Sequence, residues 1–267
     1  MVSAVLRKVT KMKYALVTGA SRGVGASSAK KLASMGYHTI CVARDEEKLK
    51  AVVAEIKSNS GTADYIPADL MHDSDTLKLV ETLLSKYAAP SICVFSAGFS
   101  SDKSFEHSTS ELRKQEMQVN FFSTSLILEK LIPHCEKLDS SHFIAIGSLS
   151  GITGFPMNAS YAASKSALYA FWISLSEEYS DTKLDFSILI PGLLNTEMSK
   201  NYGGMLKKRS PDCVSEQIPA LIRNPQIGKT FGLENKLALM MSRLAPNLST
   251  KAFSYLSKTL LERKKAS

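Results

Sequence analysis

A chain of 267 residues, 44% of them hydrophobic, has enough apolar mass for a large core, and no repeat or low-complexity tract divides it. Its formal charge of +8 lies at the ends: residues 1–13 carry +4 and residues 229–267 carry +6, which leaves −2 for the body between them. A near-neutral body without a basic stripe interleaved with aromatics argues against nucleic-acid binding.

Residues 1–12 lack the apolar core and small-residue cleavage site of a secretory signal and read as a solvated basic extension. The apolar run Tyr14-Ala-Leu-Val-Thr18 then predicts a buried strand that enters Gly19-Ala-Ser-Arg-Gly23-Val-Gly25, with a helix following to about Met35. Glycines at a strand-to-helix turn let the backbone bend sharply and approach a pyrophosphate. The unpaired N–H groups of the helix start favour that negative charge. A second strand, His38–Ala43, ends in Arg44, and Asp45 is placed to cap a helix over 46–58. A third strand over 63–68 leads to Asp69 and Leu70. A helix over about 74–87 and the strand Ile92–Phe95 follow, the latter running into Ser96-Ala97-Gly98.

Further on, a helical run over about 110–131 contains Asn120, and a strand over 142–147 leads to Ser148. The next helix, reaching about Tyr179, carries Tyr161 and Lys165. A strand over 184–190 ends in Pro191-Gly192, with Thr196 shortly after. Strands and helices alternate without a linker, so the class is α/β: one doubly wound parallel sheet of about seven strands over residues 13–235, with helices on both faces. The four cysteines have no CxxC spacing, and Cys41 and Cys93 fall in predicted buried strands, so free thiols in a reducing, cytoplasmic compartment are expected. The dispersed histidines show no HExxH, and no metal site is expected.

Tyr161 and Lys165 stand about one helical turn apart and share a face, which predicts that the ammonium favours ionisation of the phenol, ordinarily near pH 10. Tyr179 and Lys183 repeat the spacing, with Ser166 the same distance upstream as Ser148 is from Tyr161. Ser148 ends a predicted strand, whereas Ser166 sits in mid-helix, which favours the first set. No GxSxG elbow surrounds Ser148, so it is not read as a covalent nucleophile.

With the Thr-Gly-x3-Gly-x-Gly turn and the Tyr-x3-Lys pair both present, the sequence resembles the short-chain dehydrogenase/reductase family over about residues 13 to 196. The resemblance implies a Rossmann-type fold and a catalytic set of Asn120, Ser148, Tyr161 and Lys165. Asn120 lies 22 residues beyond Gly98 and 28 before Ser148, as the family's fourth catalytic residue does. It also implies cofactor contacts at Gly19, Ser21, Arg22, Gly23, Val24 and Gly25, at Asp69 and Leu70 beside the adenine, at Ala97 and Gly98, at Tyr161 and Lys165, and at Pro191, Gly192 and Thr196. Phe95 and Ser96 depart from the family's Asn-Asn. Where NAD-preferring relatives carry an acidic residue this chain has Arg44, which with Arg22 and Ser21 points to NADP(H).

The implied reaction is reduction of a ketone, on an apolar or lipid-like substrate, by hydride transfer from NADPH with Tyr161 as general acid. Oxidation of a hydrophobic secondary alcohol and a non-catalytic dinucleotide sensor are the alternatives. Residues 197–225 correspond to the family's variable substrate lid, within which Tyr202-Gly203-Gly204 reads as mobile. Relatives often pair through the helices holding Asn120 and Tyr161, which implies a homodimer or homotetramer.

From Leu237 onward, Leu237, Met240, Met241, Leu244, Leu248, Ala252, Phe253, Leu256, Leu260 and Leu261 recur near helical spacing, with Lys251, Lys258, Arg263, Lys264 and Lys265 between or after them. This basic amphipathic extension over residues 236–267 suits either an anionic membrane surface or packing against the parent domain or a second subunit.

Overall fold

The computed structural model describes residues 12–154, 156–200, 208–245, 247–249 and 251. In chain order the elements are β1 (Tyr14–Thr18), α1 (Gly23–Ser34), β2 (His38–Ala43), α2 (Glu46–Ser58), β3 (Thr62–Pro67), α3 (Asp73–Lys86) and β4 (Ile92–Phe95). There follow α4 (Ser110–Met117), a π-helical turn (Gln118–Phe122), α5 (Ser123–Cys135), β5 (Ser141–Ile146), α6 (Ser150–Thr153), α7 (Ala159–Glu178) and β6 (Leu184–Leu189). The last are α8 (Asp212–Ser215), α9 (Ile218–Arg223), β7 (Ile227–Lys229) and α10 (Leu233–Leu244).

The seven strands form one parallel sheet in the order β3-β2-β1-β4-β5-β6-β7. β1 pairs with β2 on one side and β4 on the other, so Val17 lies opposite both Cys41 and Val94. Strands buried on both faces read as near-continuous apolar runs, which is how the sequence presents β1 and β4, and β5 from Phe143 on. One core lies on each face. Leu16, Val42, Phe95, Leu128, Phe143 and Trp172 belong to one side, and Val17, Leu32, Cys41, Val53, Val94 and Ile144 to the other. The chain order reverses between β1 and β4, and the loops at the carboxyl ends of these strands open where such sheets bind ligands.

α7 is attached to the sheet by a stripe of Ala162, Lys165, Leu168, Trp172 and Leu175, all buried. Trp172 meets Phe95 edge-on at 5.6 Å and Phe186 at 6.0 Å. Phe95, the departure from the family's asparagine, is thus a core residue that anchors this helix. A lysine within the apolar stripe is costly to bury, and the local geometry explains its presence.

The helical run predicted across 110–131 is divided: the π turn separates α4 from α5 at Asn120, and α5 continues through Pro133 to Cys135. Cys41, Cys93 and Cys135 are buried and Cys213 is half-buried, all as free thiols. Among the described residues no helix is long and apolar enough to cross a membrane, and no cluster of His, Cys, Asp or Glu is suited to a metal ion. Tyr202-Gly203-Gly204 and residues 252–267 lie outside the described residues.

Candidate active site

The glycine turn is shaped by close backbone approach. Gly19 has φ +68°, and a Cβ there would stand 2.8 Å from the backbone N and Cα of Ala97; a Cβ on Gly25 would run into the Gly19 carbonyl. Thr18 fastens the same junction, its Oγ1 accepting from the backbone N–H groups of Ser96 and Ala97, each at 3.2 Å. α1 starts directly after the turn with Arg22 as an extended N-cap, no side-chain cap and no acid in its first turn, so its positive end is left for an external anion. Gly23 (φ +55°) faces Thr196 across a cleft, the Thr196 Cγ2 being 3.5 Å from where its Cβ would be. Arg22 closes the cleft with an ion pair to Glu197.

At the end of β2, Arg44 is exposed. Asp45 caps α2, its Oδ1 accepting from the Lys48 N–H at 3.1 Å and its Oδ2 pairing with Lys48 Nζ at 2.7 Å. These bonds, and to a lesser degree the nearby Arg22 guanidinium, hold the Asp45 carboxyl below its ordinary range. Asp69 closes its own turn through Met71 N–H at 3.0 Å, and Leu70 is buried in the core. Thr196 opens the one-turn helix Glu197–Ser199, its N–H donating to Ser199 Oγ at 3.2 Å. Thr196 therefore caps this turn as well as lying on the cleft.

Asn120, Ser148, Tyr161 and Lys165 are brought to one place. A Cβ on Gly98 would lie 3.5 Å from Asn120 Oδ1 and 3.8 Å from Lys165 Nζ, so both line the space at that glycine. Asn120 is buried; its Oδ1 accepts from Phe99 N–H at 2.7 Å and its Nδ2 donates to Phe99 O at 2.9 Å and Ser164 Oγ at 2.8 Å. Tyr161 and Ser148 share a side-chain hydrogen bond. Lys165, 4% exposed, donates to the Ile146 carbonyl at 2.9 Å and lies 6.0 Å from the centre of the Tyr161 ring.

The electrostatics differ from the sequence expectation. Lys165 does not lower the phenol here: burial raises Tyr161 above its ordinary value, outweighing the Ser148 hydrogen bond, and the Glu116 carboxylate adds to the rise. Burial also lowers Lys165 to about 8, because Ile146 O offers a dipole and no counter-charge. The competing set is dispersed. Tyr179 ends α7 and stacks near Phe186 at 5.7 Å, while Ser166 is spent on the Gly151 and Ala162 carbonyls.

Beyond β6, Pro191 and Gly192 lie under α10: the buried Asn235 amide occupies the space a Cβ on Gly192 would take, and donates to Phe231 O at 2.9 Å. α10 also packs on α6, next to Ser148. Neither Asn235 nor Glu116 stands out in the sequence. The first falls in the polar triplet Glu234-Asn235-Lys236 of an amphipathic helix, the second in a charged helical run that resembles a solvated face.

The glycine cradle, the bare helix start and the buried lysine beside Gly98 fit a dinucleotide, and the comparisons agree. The family model described as short chain dehydrogenase matches residues 13–206. A fatty acyl-CoA reductase of Acinetobacter baylyi is 29% identical over 252 residues, covering 92% of this chain and 84% of that protein. Dehydrogenase/reductase SDR family member 7B of Xenopus laevis is 28% identical over 271 residues, covering 94% and 83%. Among solved structures, a metagenomic short-chain oxidoreductase in complex with NADP superposes with a TM-score of 0.72 at 27% identity, covering 83% of this chain and 98% of that one. With the match extending from β1 past Thr196, this chain belongs to the short-chain dehydrogenase/reductase family and is an oxidoreductase by descent.

Proposed function

We propose that the protein is an NADPH-dependent reductase of a ketone on an apolar or lipid-like molecule. The observation that carries this reading is the buried cluster of Tyr161, Ser148 and Lys165 beside Gly98. The bound dinucleotide supplies the hydride. Ser148 holds the carbonyl oxygen by a hydrogen bond, and Tyr161 donates its proton to the oxygen as negative charge develops there. Lys165 holds the nicotinamide ribose and, drawn closer to the phenol, eases the proton transfer; Asn120 keeps the β4 loop and α7 in register. The upward pull of burial on Tyr161 supports reduction as the working direction, because it keeps the phenol protonated and so able to act as the acid.

Preference for NADP(H) is supported at the end of β2. Arg44 is exposed there, Arg22 is close by although paired with Glu197, and Asp45, the acid next to Arg44, is committed to Lys48. Arg44 and Ser21, joined by Arg22 when it exchanges Glu197 for the phosphate, suit a 2′-phosphate. The structural relative solved with NADP supports the same choice. Residues 13–235 form the catalytic domain in this reading, with residues 236–267 as its extension, and the buried free thiols suit the cytoplasm.

An apolar substrate is supported by the fatty acyl-CoA reductase relative and by α10. Leu233, Leu237, Met240 and Leu244 are exposed, at 71, 46, 51 and 78%, and their spacing places them on one face of α10; Leu248, beyond the end of that helix, is also exposed. This stripe, followed by the basic residues of the tail, suits an anionic bilayer. Pairing of two copies through the helices holding Asn120 and Tyr161 is part of the same proposal.

The test is NADPH oxidation over ketones graded from short to long chain, with Arg44→Ala in parallel. Turnover should rise with chain length, and Arg44→Ala should raise KM for NADPH about tenfold while leaving NADH little changed. Equal losses with both cofactors would remove the 2′-phosphate role.

A further inference from the structure

Glu116 is a carboxylate 1% exposed, with no ion-pair partner among the described residues. Burying an unpaired carboxylate is expensive, so its hydrogen bonds are informative. One oxygen accepts from the backbone N–H of Ser101 at 2.6 Å, and the other accepts from the Ser160 hydroxyl. Ser101 belongs to the loop that follows β4 and Gly98. Ser160 lies in the first turn of α7, directly before Tyr161.

Asn120, one helical turn further on, makes the same kind of bridge. It joins Phe99 in that loop to Ser164 in α7. Glu116 and Asn120 are four residues apart, as are Ser160 and Ser164, and Tyr161 is held between the two bridges. The repetition matters because one latch would leave α7 free to rotate about it, whereas two fix the helix against the loop on both sides of the tyrosine.

We propose that Glu116 is a positioning residue for Tyr161: its carboxylate latches the start of α7 to the loop after β4, and its charge sets how readily the phenol gives up its proton. The inference rests on Tyr161 being the acid of the proposed reaction, although its first test does not need turnover. Tyr161 on α7 is the titratable group that feels this carboxylate; Asp102 follows Ser101 in the loop, and Arg113, on the same helix as Glu116, is turned to the Ser108 carbonyl and the Phe105 ring.

The experiment is an ultraviolet titration of tyrosinate in the cofactor-free protein, with Tyr161→Phe subtracted to isolate Tyr161. Replacing the carboxylate in Glu116→Gln removes a buried negative charge and keeps the size, so the Tyr161 midpoint should fall by about one unit. An unchanged midpoint overturns the electrostatic half of the proposal. For the latch, Ser160→Ala keeps the charge and removes one contact. It should lower kcat for NADPH-dependent ketone reduction about tenfold while KM for NADPH stays within about twofold. Wild-type kcat in Ser160→Ala overturns the latch, and remains readable should Glu116→Gln not fold. If the wild type reduces no ketone, the proposed function fails, and the tyrosinate midpoint still decides whether Glu116 acts on Tyr161.

Discussion

Lys165 combines a proposed functional position with an unfavourable one, and its protonation links the two. It lies in the apolar stripe of α7 with a carbonyl as partner, and burial brings it down to about 8 from an ordinary value near 10.5. The folded-state value is the lower one, so between about pH 8 and 10.5 the unfolded chain binds more protons, and stability rises with pH across that window. The full effect is on the order of 3 kcal/mol. Lys165→Met, which replaces the buried charge by an apolar chain of similar reach, should therefore raise the Tm of the cofactor-free protein at pH 7 and abolish turnover. A lower Tm in thermal unfolding would mean that the ammonium stabilises this fold.

His142 poses the same question in acid. It is buried against Ser187 Oγ at 2.8 Å, and burial lowers it to about 4. Again the folded value is the depressed one. The contribution is complete above about pH 6.5 and is lost as pH falls toward 4, on the order of 3 kcal/mol in all. Urea unfolding at pH 7 and pH 5 should show a smaller loss in His142→Gln than in the wild type; equal losses would place the acid sensitivity elsewhere.

At the scale of elements, the site depends on how closely α6 and α7 approach. A Cβ on Gly151 would stand 2.8 Å from the Lys165 carbonyl carbon and Cβ, both part of a packed helix. Gly151→Ala should separate the two helices, costing about 1–3 kcal/mol and most of the turnover, because Ser148 and Tyr161 sit on either side of that contact. Urea midpoints and kcat measured together would check this, and a variant with both unchanged would contradict it.

The elements were largely legible in the sequence because each carries its own signal. Buried parallel strands announce themselves as apolar runs, and Asp45 identifies the start of α2 by its capping chemistry. No Gly or Pro marks the π turn at Asn120, which only the family resemblance points to; in the structure Asn120 reaches Phe99 and Ser164 at once. Glu116 and Asn235 were invisible. Each is a polar residue in a helix, and only the partners brought from elsewhere in the chain make it part of the site. The phenol's electrostatics were misjudged because spacing reports that Tyr161 and Lys165 share a helix face, but not that Lys165 is turned to Ile146 O and that both groups are desolvated.

At the scale of the whole molecule, a near-neutral body is followed by a basic, apolar C-terminal sequence. The body holds the dinucleotide cleft, and α10 links it to the exterior, with Asn235 over Gly192 on one face and the exposed leucine stripe on another. If that stripe meets a bilayer, Leu237→Glu with Leu244→Glu should reduce sedimentation with anionic liposomes severalfold and leave turnover of a short, water-soluble ketone within about twofold. Full liposome binding by this variant, or a change in oligomeric state instead, would assign the stripe to another partner.

The central claim is that Tyr161 supplies the proton in a ketone reduction, and the most direct measurement compares NADPH oxidation by the wild type and Tyr161→Phe on a long-chain ketone, with cofactor fluorescence recording NADPH binding in the same samples. The expected result is a loss of about 10²–10⁴-fold in kcat with NADPH binding unchanged. Equal turnover by the two proteins would contradict the account and require a different acid.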